Sequence, residues 1–341
     1  MSGEQHPDGA LLQRSQRAIR AWLEKPASTA TSPLTGGGAI ARSEARLAEL
    51  HEGRPALLMP SATYALWVAL RTLGIGPGDE VLIPKYDWVS SLAVVRELRA
   101  TPIPVPVVPA TLTIDPVLAA ARRTARTRAI IATHLFGIPT DVPELRRVLP
   151  GVPIVEDCAA AFGSTLDGRP VGVFGDAAIM GFGPGKRIDV GELGALVLCD
   201  DGMRKRALQL SAHPVRQKVS GIAFPELTSM SIRPHPLAAM LLLDALDEDD
   251  AGPMIQERLR LANSLLVASG IDVLGLDARR GVASRSVSVL AEQVLTAELP
   301  AATKIAYGEV QDIDALARGT SRSRRIVFIT TAAQPLGVHR L

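Results

Sequence analysis

Val152-Pro153-Ile154-Val155-Glu156-Asp157 is a short apolar run closed by two acids. Ile179-Met180-Gly181-Phe182-Gly183-Pro184-Gly185-Lys186 is a second, closed by a glycine-rich turn and a lysine. Both have the length of buried strands rather than helices, and both belong to a longer series. Between residues 56 and 200, β-rich runs fall at 56–59, 80–83, 103–107, 128–133, 152–156, 176–182 and 193–198. Helical spacing falls between them, at 62–73, 88–99, 115–123 and 142–149. This alternation predicts βαβ units: an α/β fold with a mostly parallel sheet and helices on both faces. Ligands of such sheets bind at the carboxyl ends of the strands. Asp157 and Lys186 fall at or just beyond two of those ends.

Working outward, residues 11–24 and 40–52 have helical spacing, and 25–38, rich in Pro, Ser, Thr and Gly, reads as a loop. Residues 202–214 and 235–247 read as helices, the second apolar almost all round and therefore buried. Asp247-Glu248-Asp249-Asp250-Ala251-Gly252-Pro253 marks a boundary, followed by a helix near 254–269. Two β-rich runs, 286–290 and 325–331, follow with a polar, arginine-rich gap between them. The division expected is an N-terminal helix and loop (1–38), a large domain (39–250) and a small α+β C-terminal domain (251–341).

The chain of 341 residues is 47% hydrophobic and 21% charged, enough for a sizeable core. A formal charge of +2 argues against a nucleic-acid or anionic-membrane surface. The two cysteines, Cys158 and Cys199, form neither a disulfide framework nor a metal-spaced cluster. No apolar run reaches the roughly 20 residues of a membrane span, and the first residues carry acids without an apolar signal core. The expectation is a cytoplasmic protein that binds neither nucleic acid nor membrane.

Six of the 37 basic residues are lysines, and Lys186 sits in an apolar, glycine-rich setting unsuited to a solvated surface cation. An amine forms a Schiff base with an aldehyde; a guanidinium does not. Asp157, 29 residues upstream, supplies a carboxylate at a neighbouring strand end. A Lys and an Asp so placed are what pyridoxal 5'-phosphate (PLP) needs, one for the aldehyde and one to keep the pyridine nitrogen protonated. In Met59-Pro60-Ser61-Ala62-Thr63-Tyr64-Ala65-Leu66 a strand runs into a helix, whose first N–H groups and Thr63 hydroxyl suit a phosphate. An ordinary Ser/Thr helix cap explains the same residues. Trp88 offers an aromatic face for a planar ring, or else a core or interface residue. His134, Glu156 and Asp176 read as structural. No strand is followed by a Gly-x-Gly-x-x-Gly fingerprint, and Gly183-Pro184-Gly185-Lys186 lacks the first Walker glycine and the Ser/Thr after the lysine.

The ordered set of pieces resembles the DegT/DnrJ/EryC1/StrS family of PLP-dependent aminotransferases of fold type I. The matching pieces are Ser61-Ala62-Thr63, Leu73 to Pro84, Trp88, His134 to Pro139, Glu156-Asp157, Gly168 to Asp176 and Lys186, with a fainter match from Ser231 through Arg233 to Pro236. The resemblance implies a three-layer, aspartate aminotransferase-like fold and a homodimer with sites shared between subunits. By the same resemblance Lys186 and Asp157 are catalytic, Trp88 stacks on the ring, and Ala62 and Thr63 hold the phosphate. Ser231 to Arg233 would reach the partner's cofactor. The implied reaction moves an amino group from an amino acid donor to a keto-sugar, a cyclitol or a related ketone. The alternatives are a PLP-binding but non-catalytic subunit, or another PLP reaction on this fold. The chain departs from the family at three positions. Gly181 stands where a serine is usual, Ala160 where Gln or His is, and Ser231 where Asn is. A missing hydroxyl at 181 predicts weak cofactor retention.

Overall fold

The computed structural model describes residues 13, 15–21, 24, 32–223, 229–247, 274, 279–282, 287–290, 303–318, 320 and 323–331. A seven-stranded sheet organises them. Its strands are β1 (Ala56–Met59), β2 (Glu80–Pro84), β4 (Thr101–Val105), β5 (Thr127–Thr133), β6 (Ile154–Cys158), β9 (Ala177–Gly181) and β10 (Gly194–Leu198), in the order β1-β10-β9-β6-β5-β2-β4. Only β10 runs against the rest. One edge of the sheet therefore collects the carboxyl ends of six strands together with the first residue of β10. Tyr86–Asp87 forms the short β3, and Thr165–Leu166 and Arg169–Pro170 form β7 and β8.

Near-continuous apolar strands bury both faces, and the helices divide between them. Helices α2 (Ala62–Thr72), α3 (Val89–Glu97) and α6 (Asp201–Ser211) cover the face bearing Leu57, Ile131, Val155, Ile179 and Leu196. On the opposite face α1 (Ala39–Leu50) and α8 (Pro236–Asp247) cover Leu58, Met180 and Val197. Beside them α4 (Pro116–Arg122) and α5 (Val142–Val148) cover Leu82, Ile130 and Ile154. The expected three-layer α/β arrangement is what these residues build.

Buried polar groups help to tie the layers together. Glu44 of α1 accepts both Nη2–H bonds of Arg216, at 2.6 and 2.7 Å, and the Leu58 N–H at 2.8 Å. Arg216 belongs to α7 (Pro214–Val219), so one buried ion pair joins α1, β1 and α7. Asp176 accepts the Ile154 N–H at 2.8 Å and starts β9 squarely against β6, the structural role expected of it.

Two expectations change. Residues 25–38 are not all loop, because Ser32–Thr35 forms a turn of helix. The gap between the two C-terminal β-rich runs holds the ten-residue strand β13 (Thr303–Asp312) and a short helix, Ile313–Ala317. In the C-terminal part β12 (Val287–Leu290), β14 (Ser323–Thr331) and β13 continue onto β3, and β11 (Arg280–Gly281) pairs with β7. The helix expected near 254–269 lies outside the described residues. Among the described residues no helix is long and apolar enough to cross a membrane.

Candidate functional site

Asp157 stands one residue before the end of β6 and is 5% exposed. Its Oδ1 accepts the Ala159 N–H at 2.9 Å, and Oδ2 has no hydrogen-bond partner among the described residues. Burial pushes this carboxyl up, against the Ala159 N–H and the charge of Lys186. A buried carboxylate with an open oxygen is expensive unless a cation or N–H meets it. Lys186 acts on Asp157 from the loop that joins β9 to β10. Backbone bonds from Phe182 N–H to Leu193 and from Val190 N–H to Phe182, at 2.8 and 3.0 Å, close that loop into a hairpin. The Lys186 N–H donates to Gly183 at 3.2 Å across a turn that needs Gly185 at φ +77°. The Lys186 amine makes no hydrogen bond or ion pair among the described residues and is half-buried.

The start of α2 lies on the same edge. Ser61 is its cap, and its Oγ accepts the Tyr64 N–H at 3.3 Å. Ser61 is thus the ordinary cap that its residue type predicts. The cap leaves the Ala62 and Thr63 N–H groups unengaged among the described residues and aimed out of the helix end, and the Thr63 hydroxyl has no partner among them either. The first residue of β10 supports this turn. A Cβ on Gly194 would overlap the Ser61 carbonyl and come within 2.5 Å of the Ala62 nitrogen. Only glycine lets β10 approach so closely.

Trp88 is the cap residue of α3 and is 63% exposed. It joins the site through its neighbour. Asp87 binds the Trp88 N–H and the hydroxyl of Thr133, the strand-register partner of Asp157. Behind Asp157, Glu156 accepts N–H bonds from Gly172 and Phe174 at 2.8 Å and from Gly175 at 2.5 Å. His134 receives the Thr140 N–H on Nδ1 at 2.9 Å, so its Nε2 is the donor to Glu156 at 3.1 Å. His134 and Glu156 are the structural pair that the sequence indicated. With Cys158 they form a compact buried trio, but the polar atoms of His134 and Glu156 are already committed to this network.

Ser231 and Arg233 are not joined to this cluster by any hydrogen bond or ion pair among the described residues. Ser231 adopts φ +50°, a left-handed conformation unusual for serine, and Arg233 is exposed. The Ile232 N–H between them donates to Ser211 of α6 at 2.6 Å.

Residues 24–265 match the DegT/DnrJ/EryC1/StrS aminotransferase family. The chain belongs to this family. Over 245 residues it is 33% identical to L-glutamine:2-deoxy-scyllo-inosose aminotransferase of Micromonospora echinospora, a match covering 69% of this chain and 57% of that protein. The structure of 3-amino-5-hydroxybenzoic acid synthase superposes with a TM-score of 0.72 at 28% identity, over 85% of this chain and 75% of that one. A Streptococcus pneumoniae protein in its PLP form gives a TM-score of 0.70 at 25% identity, over 82% and 76% of the two chains. The chain spans about half the length of the curated relatives it matches.

Seen as a family member, the departure at Gly181 has a local cause. A Cβ there would lie 3.1 Å from the Ala159 carbonyl oxygen and 3.2 Å from the Ala159 Cβ, so the loop after Asp157 crowds the position. Gly181 is less a deleted hydroxyl than a place where two backbone segments meet. Gly194 and Asp87 went unnoticed in the sequence. A glycine opening a strand and an acid before a tryptophan carry no distinctive local signal.

Proposed function

We propose that this chain is a PLP-dependent aminotransferase in which Lys186 and Asp157 do the chemistry. The observation that carries the reading is the buried Asp157 carboxylate, with one oxygen open and the Lys186 charge acting on it, beside an unsatisfied helix start. The residues fit the cofactor part by part. The Asp157 Oδ2 would accept the ring N–H. The Lys186 amine would hold the aldehyde and carry the proton between carbon atoms. The Ala62 and Thr63 N–H groups and the Thr63 hydroxyl would take the phosphate at the positive end of α2. The exposed Trp88 would cover one face of the ring. When bound, the cofactor supplies an electron sink and a carbonyl that can be exchanged for an amine.

The substrate would be a ketone on a sugar, cyclitol or related ring, with an amino acid as donor. The cyclitol ketone and the glutamine donor in the name of the M. echinospora relative support this class. The working form would be a cytoplasmic homodimer. Met230, 64% exposed, would lie against a second copy, and Ser231 and Arg233 would complete its site. A non-catalytic PLP-binding subunit is the second reading, favoured by Gly181 and Ala160 standing where the family has polar side chains.

Absorbance of the PLP-loaded protein during incubation with glutamine or glutamate tests both readings. Loss of the visible band, with growth of the near-ultraviolet band of pyridoxamine phosphate, is the expected result. An unchanged visible band with either donor would favour the non-catalytic reading. Failure to bind PLP would remove both.

A further inference from the structure

Asp87 has no role toward the cofactor in the reading above, yet it is fully buried behind Trp88 and Thr133. Its carboxylate accepts the Trp88 N–H at 2.8 Å, the Ser91 hydroxyl at 2.7 Å and the Thr133 hydroxyl at 3.0 Å. Thr133 pairs in register with Asp157 on the adjacent strand. Ile131 and Val155 face α2 and α3, and side chains alternate along a strand. Thr133 and Asp157, two residues further on, therefore project from that same face, on strands about 4.8 Å apart. One threonine links the two carboxyl groups.

None of the three bonds to Asp87 requires a charge. An asparagine would satisfy the same partners, its oxygen taking the Trp88 N–H and its amide donating to the two hydroxyl oxygens. A carboxylate here is instead disfavoured: burial, then the charge of Asp157, pushes it up to about 7. The nearby positive groups are engaged elsewhere: Lys186 acts on Asp157, and Lys85, the neighbour of Asp87 across Tyr86, lies 3.8 Å from Asp312. Two acids packed together on the face that receives the ring constitute a site awaiting a cation.

We propose that Asp87 is a positioning residue for the cofactor ring, a second carboxylate behind Asp157 whose negative charge strengthens the hold on the protonated ring nitrogen. The inference rests on the cofactor reading above. Its consequence is a binding strength that rises as Asp87 ionises. Replacing Asp87 by Asn removes the charge and keeps the hydrogen bonds. Pyridoxamine phosphate is the probe, because it cannot form the covalent link to Lys186. Its affinity is measured by fluorescence between about pH 6 and pH 8.5 for wild type, Asp87→Asn and Ser91→Ala. At about pH 8 the Asn variant should bind about tenfold more weakly, one unit's worth of charge interaction, and the gap should close toward pH 6. Ser91→Ala, which removes a hydrogen bond that favours the ionised Asp87 but no charge, should keep a pH-dependent step and move it to higher pH. Parallel curves for wild type and Asp87→Asn, or equal affinity at about pH 8 in a variant of unchanged melting temperature, would overturn the inference and leave the cofactor reading intact. No binding by the wild type would overturn both.

Discussion

Gly194→Ala is the most direct test of how the helix start is held. Gly194 begins β10, paired to Met59 of β1 on one side and Gly181 of β9 on the other. Its φ is not in the left-handed region, so alanine meets no backbone strain and the added methyl acts through contact alone. That methyl would sit on the Ser61 carbonyl and within 2.5 Å of the Ala62 nitrogen. Both are backbone atoms at the cap of α2, with no flexible side chain to swing aside. Either β10 separates from β1 and β9, or the first turn of α2 moves by roughly 1 Å, and overpacking of this kind costs about 1–3 kcal/mol. The same displacement would misaim the Ala62 and Thr63 N–H groups. Losing one hydrogen bond to a charged oxygen is worth about 1.5–3 kcal/mol, or roughly 10- to 100-fold in affinity. Calorimetric titration with pyridoxamine phosphate and with pyridoxamine, which lacks the phosphate, separates the two effects. The phosphate-dependent part of the affinity should collapse in Gly194→Ala while the affinity for pyridoxamine changes little. A folded variant that keeps the wild-type ratio of the two affinities would refute the argument and place the phosphate elsewhere.

Four further outcomes are expected. Borohydride reduction of the PLP-loaded protein followed by peptide mapping should put the pyridoxyl group on Lys186, and label on any other of the six lysines would sink the assignment. Asp157→Asn should lower pyridoxamine phosphate affinity by roughly 10- to 100-fold, because an amide loses the charge on the ring N–H bond; unchanged titration curves would clear Asp157 of the role. Gly181→Ser should not tighten cofactor retention, since its Cβ would meet Ala159 at 3.1–3.2 Å, and equilibrium dialysis showing a tighter complex would mean that the 159 loop yields. Glu156→Gln should cost on the order of 1–3 kcal/mol near neutral pH, as expected when a buried carboxylate that accepts several N–H bonds is replaced by an amide. Burial opposes the Glu156 charge, but the His134 bond and the Gly172 and Gly175 N–H groups prevail and hold its carboxyl below the usual range. A lowered pKa contributes stability above the unfolded value of about 4.3 that is lost as pH falls. Denaturant titrations should therefore show the gap between wild type and Glu156→Gln narrowing below about pH 4, and a gap that widened there would contradict the sign.

Much of this molecule was legible along the chain. The runs at 152–156 and 176–182 became β6 and β9 within two residues, because a strand buried on both faces must be apolar nearly throughout. Lys186 and Asp157 stood out because few settings explain an amine in a glycine-rich apolar turn or an acid closing an apolar run. Strand β13 escaped notice because Lys304, Glu309 and Gln311 interrupt its apolar residues, so the stretch reads as a polar gap. No reading of local sequence could have paired that strand with Tyr86–Asp87, more than 200 positions away. The same limit governs the site. The order β1-β10-β9-β6-β5-β2-β4 is not the order of the chain. It brings Gly194 against Ser61, Ala159 against Gly181, and Asp87 against Thr133 beside Asp157. Residue chemistry and periodicity determined the kind of fold and singled out Lys186 and Asp157 as candidates, because each signal acts within a single element. Which side chains surround those two residues was decided by strand order, because close contact and shared charge depend on distance in space, which the packing of the sheet alone sets.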